Sequence, residues 1–168
     1  GMGLGPPTCM RAFADGITVK SPAGAEAITD VMALAFDKDR RLHVLNWDGT
    51  KSFVAVLGTP PNTALVRSYG QGKLEDPRDF VIDAAGIVYI LDDPQPGTPS
   101  VKRFDANGAF IDSFVADAMG LDDEGNSIAI DGAGKLNIGG SQRLYLYEPT
   151  GAFIKRYGIA GKGVGKLM

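Results

Sequence analysis

One phrase occurs three times along this chain of 168 residues: an apolar stretch ends in Asp, a short turn follows, and a second apolar stretch begins. The copies read LAFDKDRRLHVLN from residue 34, FVIDAAGIVYILD from residue 80 and IAIDGAGKLNIGG from residue 128. Their turn aspartates, Asp37, Asp83 and Asp131, are 46 and 48 residues apart. Self-similarity at a period of about 20 to 50 residues is typical of repeat architectures. The chain is therefore predicted to consist of repeated supersecondary units.

A second repeated phrase lies downstream of the first in two of the units. Residues 103–114 read RFDANGAFIDSF, and residues 146–157 read LYEPTGAFIKRY. DANG and EPTG are predicted hairpin turns, because Asn-Gly and Thr-Gly tolerate the positive φ that a tight reversal needs. We expect Phe110 and Phe153 to pack equivalently between sheets.

Each period contains four short stretches that are rich in apolar, β-branched and aromatic residues and are bounded by Gly, Asp, Asn or Pro. The predicted strands are 31–37, 41–47, 52–58 and 64–70, then 77–83, 86–92, 100–106 and 109–115, then 126–131, 135–140, 143–148 and 152–158. Four antiparallel strands in about 45 residues correspond to one blade of a β-propeller. The predicted fold is all-β, a propeller-like array of four-stranded antiparallel blades.

Composition excludes several other classes. The 23 Gly and 10 Pro argue against a helical protein. A net charge of −3 gives no reason to expect nucleic acid or an anionic membrane as a partner. The single Cys and single His exclude a disulfide framework and a zinc site built from several histidines. His43 is expected to be a packed or rim residue.

The order of these elements resembles the NHL repeat. VYILDDPQPGTPSVKRFDANGAFIDSF matches that pattern well, and RLYLYEPTGAFIKRYG keeps part of it. The resemblance implies a six-bladed type of propeller. Asp92 is the structural Asp of this pattern, whereas the other two units have Asn46 and Gly140 there. Each blade is therefore expected to brace its turn differently.

About three blades are complete, whereas propellers usually close with about 4 to 8. The expected divisions are an N-terminal segment (1–26) that could supply one strand of a preceding blade, blade 1 (27–70), blade 2 (71–116), blade 3 (117–160) and a lead-in to a further blade (161–168). The ring is thus expected to be incomplete in one chain. It would be completed by the remainder of a longer chain or by a second copy in a homo-oligomer.

Long, irregular loops on a rigid scaffold are where binding usually occurs. The longer loops of this chain are predicted to share one face, and they carry nine acidic and two basic residues. Such a face favours a cationic partner, and solvated surface charge is the alternative interpretation. The candidate binding residues are Trp47, Asp48, Asp76, Asp92, Asp93, Asp122 and Asp123.

Two functions remain open. The first is a non-enzymatic binding or scaffold module for a protein or peptide, with no catalytic residue and no cofactor. The second is an enzyme of the sugar-lactonase or esterase type, whose propellers resemble this one and hold calcium or another divalent metal in the central channel. Asp30, Asp76 and Asn126 would then be candidate ligands in the assembled ring. RNA binding, known for some NHL-type propellers, would need a basic face.

Overall fold

The computed structural model describes residues 18–21, 24–59, 64–121 and 123–158. In this part of the chain there are fourteen strands and one short 3₁₀ turn, Asp117–Met119. The strands are β1 (Thr18–Ser21), β2 (Gly24–Ala27), β3 (Val31–Phe36), β4 (Leu42–Trp47), β5 (Ser52–Leu57), β6 (Leu65–Tyr69), β7 (Pro77–Ile82), β8 (Val88–Asp92), β9 (Ser100–Phe104), β10 (Phe110–Val115), β11 (Gly125–Ile130), β12 (Leu136–Gly140), β13 (Leu144–Tyr147) and β14 (Phe153–Tyr157). No helix among these residues is long and apolar enough to span a membrane.

Twelve of these strands form three four-stranded antiparallel sheets in which each strand pairs with its neighbours in sequence. We call them blade 1 (β3–β6), blade 2 (β7–β10) and blade 3 (β11–β14). Every strand predicted from the sequence is present, with its ends shifted by at most two residues. The first strands of the blades, β3, β7 and β11, lie side by side, as the innermost strands of a propeller do. The all-β, propeller-like fold is therefore confirmed.

The recurrent turn aspartate is explained by the hydrogen bonds that it accepts. In each blade its Oδ1 accepts two backbone N–H groups across the first turn, at 2.8 to 3.0 Å. Its Oδ2 reaches the residue six positions further on in two blades, which is His43 for Asp37 and Tyr89 for Asp83, both at 3.2 Å. Asp is favoured at such positions because its short side chain satisfies nearby backbone donors.

Blade 2 is packed on both faces. Alternate residues of β8 point in opposite directions, so Ile90 packs against blade 1 and Leu91 packs against blade 3. Both side chains are fully buried. A buried side chain of this size contributes about 1.5–3 kcal/mol through the hydrophobic effect. This two-sided burial explains why the predicted strand reads as an unbroken apolar run.

The outer face of blade 1 has an apolar cluster of its own. Phe53, Ala55 and Val44 are buried there, and Ile28 packs against them. Nearby, β1 and β2 form a separate two-stranded sheet, and β1 lies beside β6. Of the N-terminal segment 1–26, which is expected to supply a strand of a preceding blade, residues 1–17 and 22–23 lie outside the described part of the chain.

The tetrapeptide GAFI is shared by the two repeated phrases at 103–114 and 146–157, and its glycines, Gly108 and Gly151, mark contacts between blades. A Cβ atom at Gly108 would lie 2.9 Å from the Tyr69 ring of blade 1, and one at Gly151 would lie 2.6 Å from the Phe114 ring of blade 2. Both glycines also have positive φ, +87° and +102°. Only glycine fits such a position without strain. The third turn of each of these blades therefore closes on an aromatic side chain of the preceding blade.

The phenylalanines of GAFI are placed equivalently, as expected, but they are not enclosed between sheets. Phe110 packs edge-on against Phe104, and Phe153 packs edge-on against Tyr147, with ring centroids 5.5 Å apart in both pairs. Phe110 and Phe153 remain 40% and 44% exposed, because they lie on the outermost strands. Each covers an aromatic residue of its own blade.

Candidate binding face

Hydrogen bonds define two faces of the blade array. The carbonyl oxygens of Asp30 and Asp76 accept the N–H groups of Trp47 and Asp93, so the loops before the first strand and after the second strand lie together. We call this the loop face. On the opposite side Lys135 and Glu148 pair across the two tight turns of blade 3. We call that side the turn face.

In blade 2 the loop face is held by Asp92. Its carboxylate accepts the N–H of Asp76 at 2.7 Å and the N–H of Glu75 at 3.1 Å. Lys102 Nζ lies 3.6 Å from Asp92 Oδ2, and the side chain of Asp92 is fully buried. Burial raises the pKa of Asp92, and the backbone hydrogen bonds from Asp76 and Glu75 act against that rise. The carboxylate thus stabilises the loop that leads into blade 2.

In blade 1 a neutral amide occupies the same place. Asn46 Oδ1 accepts the N–H groups of Thr29 and Asp30 at 2.8 and 3.0 Å. Its Nδ2 donates to the carbonyl of Lys51 at 3.1 Å. Asn46 is fully buried. An amide therefore performs the role of Asp92 without a buried charge.

In blade 3 the carboxylate that holds this connection belongs to Asp123, in the loop before the first strand, and not to the end of the second strand. Gly140 occupies the position of Asp92, and a Cβ atom there would lie 2.5 Å from Asp123 Oδ2. Asp123 Oδ1 accepts the N–H of Ser141 at 2.6 Å, and Oδ2 accepts the hydroxyl of Tyr145 at 2.8 Å. Gly140 leaves the space that the carboxylate fills. The three blades do brace this connection differently.

Asp93 and Asp79 link blade 2 to blade 3. Asp93 Oδ2 accepts the N–H of Gly125 at 2.9 Å, and Asp79 Oδ2 accepts the N–H of Ile128 at 3.0 Å. Asp93 is fully buried, and this burial raises its pKa. Both carboxylates satisfy backbone donors of β11, the innermost strand of blade 3.

The remaining candidates lie nearer to solvent. Trp47 is half-buried at the end of β4, and Asp48 is exposed beside it. Asp48 accepts the Thr29 hydroxyl at 2.6 Å and two backbone N–H groups of its own turn, and these hydrogen bonds, led by that from Thr29, lower its pKa. Asp76 pairs with Arg78 at 2.7 Å. Asp122 lies outside the described residues. The structure thus separates Asp48 and Asp76 from the buried braces Asp92, Asp93 and Asp123.

The strand register places an acidic residue at the same position in all three blades. Asp30, Asp76 and Glu124 each precede the first residue of an innermost strand. The candidate metal ligands predicted from the sequence are Asp30, Asp76 and Asn126, so the third of them is not the equivalent residue of blade 3. Asn126 lies two residues further along and donates to Ser141 Oγ at 3.4 Å. Alignment on the first strand residues, rather than on the turn aspartates, would have found Glu124.

Two other observations limit the chemistry of the described residues. No group of three or more His, Cys, Asp or Glu side chains there is arranged to hold a metal ion. His43 lies away from the loop face, buried between Asp37 and the Tyr69 hydroxyl, which is 2.9 Å from its Nδ1. It is a packed residue, as predicted.

Comparison with known proteins gives structural similarity alone. No protein-family model matches the chain, and no curated protein does. A solved structure of a protein of unknown function from Bacteroides caccae matches with a TM-score of 0.56 and 13% identity, over 84% of this chain and 54% of that one. A protein from Lactobacillus plantarum matches with a TM-score of 0.56 and 16% identity, over 82% and 43% of the two chains.

A third similar structure is the extracellular domain of a putative hybrid two-component system from B. thetaiotaomicron. It matches with a TM-score of 0.55 and 14% identity, over 85% of this chain and 19% of that one. At such low identities the matches show the fold. The chain spans about half the length of the first two proteins.

Proposed function

We propose that this chain is a non-enzymatic, NHL-type propeller module that binds a cationic peptide or protein segment across its loop face. One observation carries the proposal: each of the three blades places an acidic residue directly before its innermost strand, namely Asp30, Asp76 and Glu124. Because the innermost strands are neighbours and these residues precede their first positions, all three lie on the loop face of the array.

These carboxylates differ from the buried braces in their exposure. Asp30 and Glu124 are exposed, as is Glu75 in the adjacent loop, and Asp76 is half-buried. Carboxylates gathered on one face create a negative potential that attracts Lys and Arg side chains and repels phosphate. A basic segment therefore fits this face better than a nucleic acid does.

The structural matches are compatible with a propeller-like binding module and name no ligand. One of them is an extracellular domain of a putative two-component system, and all of them share only the scaffold with this chain. A propeller scaffold can carry many activities, and the feature of this chain that favours binding is the set of carboxylates on the loop face.

The proposal can be tested with a fluorescently labelled octalysine peptide, whose binding is followed by fluorescence anisotropy at low and physiological salt. The test variant carries Asp30→Asn, Glu75→Gln and Glu124→Gln on the loop face. The control carries Asp39→Asn, Asp112→Asn and Glu148→Gln, three exposed or half-buried acids away from that face, and so has the same net charge. We expect the loop-face variant to bind about tenfold more weakly and the control to bind within about threefold of the parent.

Equal losses in the two variants would show non-specific charge attraction and would refute the proposed site. The alternative, a metal-dependent enzyme of the lactonase or esterase type, makes a different prediction. Calcium alone would then raise the melting temperature by several degrees, because a ligand that binds the native state stabilises it. Such a rise, without octalysine binding, would replace the binding module by the enzyme.

A further inference from the structure

Equivalent aromatic clusters lie at the outer rim of the two junctions between blades. The cluster between blades 1 and 2 consists of Tyr69, Phe104 and Phe110. The cluster between blades 2 and 3 consists of Phe114, Tyr147 and Phe153. Neighbouring ring centroids are 5.3 to 5.7 Å apart in both clusters. The two junctions are therefore built from the same kinds of residue at the same positions.

The loop that follows the outermost strand closes the second of these junctions. It buries one apolar side chain, Met119, in the core that contains Tyr147. The residue directly before it, Ala118, packs against the same core, and its N–H donates to the Tyr147 hydroxyl at 3.1 Å. The 3₁₀ turn of this loop thus lies directly on the aromatic cluster.

The first junction keeps an open cavity in the same place. Its loop buries Leu74 as the equivalent of Met119, but residues 70–73 read GQGK. Gly70 and Gly72 have positive φ, +89° and +72°, and a Cβ atom at Gly72 would have no neighbour within 4 Å. A cavity of about 510 Å³ remains between this loop and the rings of the cluster. We call it the rim notch, and its size is within the range of small-molecule sites, about 300–1,000 Å³.

The lining of the rim notch favours a planar apolar anion. Its walls include the rings of Phe104 and Phe110, against which a flat aromatic group can pack offset or edge-on. Of the described residues that line the notch, Lys73 alone is charged. Its Nζ lies 4.8 Å from the centroid of the Phe110 ring. A carboxylate bound beside these rings would therefore meet an ammonium group and no lining carboxylate.

We propose that the rim notch binds a small aromatic carboxylate, with its ring against Phe110 and its carboxylate at the Lys73 ammonium. The Phe110 side chain is 40% exposed, so part of its ring is accessible to a ligand. Lys73 is exposed as well, so its ammonium can turn from the Phe110 ring to a carboxylate. This ligand has the opposite charge to the cationic segment proposed for the loop face, and the two sites are independent.

A second cavity offers an internal reference for the experiment. It has a volume of about 650 Å³ and lies on the turn face between blades 2 and 3, with Asp131, Lys135 and Glu148 among its lining residues. Lys135 already pairs with Glu148 at 2.6 Å. An aromatic carboxylate is therefore expected to avoid this cavity and to enter the rim notch.

An NMR titration of the amide signals with naphthoate, a naphthalene carboxylate, tests the site. The signals of Gly70, Gly72 and Gly108 should shift and saturate, whereas those of Gly132 and Gly134 in the second cavity should stay in place. The neutral analogue naphthamide should bind about tenfold more weakly, because it loses a hydrogen bond between charged groups. No saturable shift at these glycines, or equal affinity for the two compounds, would overturn the proposal.

Lysine variants test the role of the cation. Lys73→Gln is expected to bind naphthoate about tenfold more weakly and to bind naphthamide like the parent. The matched control is Lys155→Gln in blade 3, which removes a lysine whose Nζ also lies over an aromatic ring, 4.6 Å from the centroid of Tyr157. Its affinity for naphthoate should equal that of the parent. Equal losses in both variants would show non-specific charge attraction and would refute the site.

Phenylalanine variants test the aromatic wall. Phe110→Ala should weaken the binding of both compounds by about tenfold, because the ligand loses a packing surface. Phe153→Ala removes the equivalent ring at the closed junction and should change neither affinity. Unchanged binding in Phe110→Ala would place the ligand elsewhere and contradict the proposal. The titrations are made without octalysine, so this inference and the proposed binding at the loop face can fail independently.

Discussion

Blades 2 and 3 both attach the loop before the first strand to the end of the second strand through a buried carboxylate. The carboxylate lies at the end of the second strand in blade 2 and in the loop in blade 3. In blade 2, Asp92 at the end of the second strand binds the N–H groups of the incoming loop. In blade 3, Asp123 in the incoming loop binds the N–H of Ser141 just after the second strand. The connection needs one buried acceptor, and either side can supply it, provided that the other side leaves room.

This difference separates two classes of carboxylate on the loop face. Asp92, Asp93 and Asp123 are buried and bind backbone or hydroxyl donors, so their contribution is to stability. Asp30 and Glu124 are exposed and remain accessible to a ligand. The acidity of a loop in the sequence is therefore a poor measure of the charge that it presents.

The largest effect is expected from removing the brace of blade 2. Asp92→Ala leaves the N–H groups of Glu75 and Asp76 without their acceptor, and it leaves Lys102 without its partner. We expect the free energy of unfolding to fall by about 3 kcal/mol. Urea denaturation followed by the fluorescence of Trp47, the only tryptophan, measures it at one fixed protein concentration.

The matched control is Asp92→Asn, which gives blade 2 the residue of blade 1, where Asn46 accepts two equivalent N–H groups. Its expected cost is about 1 kcal/mol or less. Similar losses for the two variants would mean that the acceptor at this position does not carry the stabilisation.

The second prediction concerns the third turn of blades 2 and 3, where both blades have a glycine, Gly108 and Gly151. Gly151→Ala places a methyl group 2.6 Å from the Phe114 ring in a backbone with a φ of +102°. We expect a loss of about 2–3 kcal/mol, from overpacking and from backbone strain together. Thermal and urea denaturation both report it.

Two other glycines separate these causes. Gly134→Ala has positive φ (+78°) but open space around it, and is expected to cost about 1 kcal/mol. Gly132→Ala has neither a close neighbour nor positive φ and should be nearly neutral. If Gly151→Ala costs no more than Gly134→Ala, the contact between the turn and the preceding blade is not tight.

The smallest effect on stability is expected at the residue that contacts the turn aspartate, where blades 1 and 2 differ. His43 lies there in place of Tyr89, and burial lowers the pKa of His43, although its hydrogen bond to Asp37 acts in the opposite direction. The unfolded chain, with an ordinary His pKa of about 6.5, then binds more protons than the folded chain just below that pH. Stability should therefore fall as the pH is lowered from about 6.5 towards the folded pKa.

Proton NMR can test this without ambiguity, because the chain has a single histidine. Its imidazole C–H resonances should titrate below the ordinary histidine value of about 6.5. His43→Tyr, which copies blade 2, should remove the corresponding pH dependence of unfolding. A titration above the ordinary value would show that the ion pair with Asp37 outweighs burial.

The sequence predicts the strands and turns well because their signals are local. The alternation around Asp83, the glycine turns and the 46-residue spacing each depend on residues close together in the chain. The roles of the loop carboxylates depend on contacts between distant residues, such as Asp93 with Gly125. Asp122 and Asp123 are candidate binding residues in the sequence, and in the structure Asp123 is a buried carboxylate that accepts hydrogen bonds from Ser141 and Tyr145.

One local signal of that brace was available. Gly140 stands where Asp92 and Asn46 stand in the other blades, and a missing side chain at a bracing position indicates that another group fills the space. The sequence does not show which residue fills the space beside Gly140. That choice depends on the distance between the loop before β11 and the end of β12, which the packing of blade 3 against blade 2 determines.

The most direct test of this account is a double-mutant cycle that transfers the blade 1 pair, Thr29 and Asn46, to blade 3. The cycle comprises Asp123→Thr, Gly140→Asn and both together. It is made in a Tyr145→Phe background, because the Tyr145 hydroxyl depends on Asp123. The free energy of unfolding of the four proteins is measured with urea.

Gly140→Asn alone should destabilise blade 3 strongly, because its Cβ atom would lie 2.5 Å from Asp123 Oδ2. Asp123→Thr alone should also destabilise it, because Ser141 loses its acceptor. We predict that the double variant is more stable than Gly140→Asn by about 2 kcal/mol and that the two changes are strongly non-additive. Strictly additive losses would contradict the claim that Asp92, Asn46 and Asp123 are interchangeable solutions to one structural need.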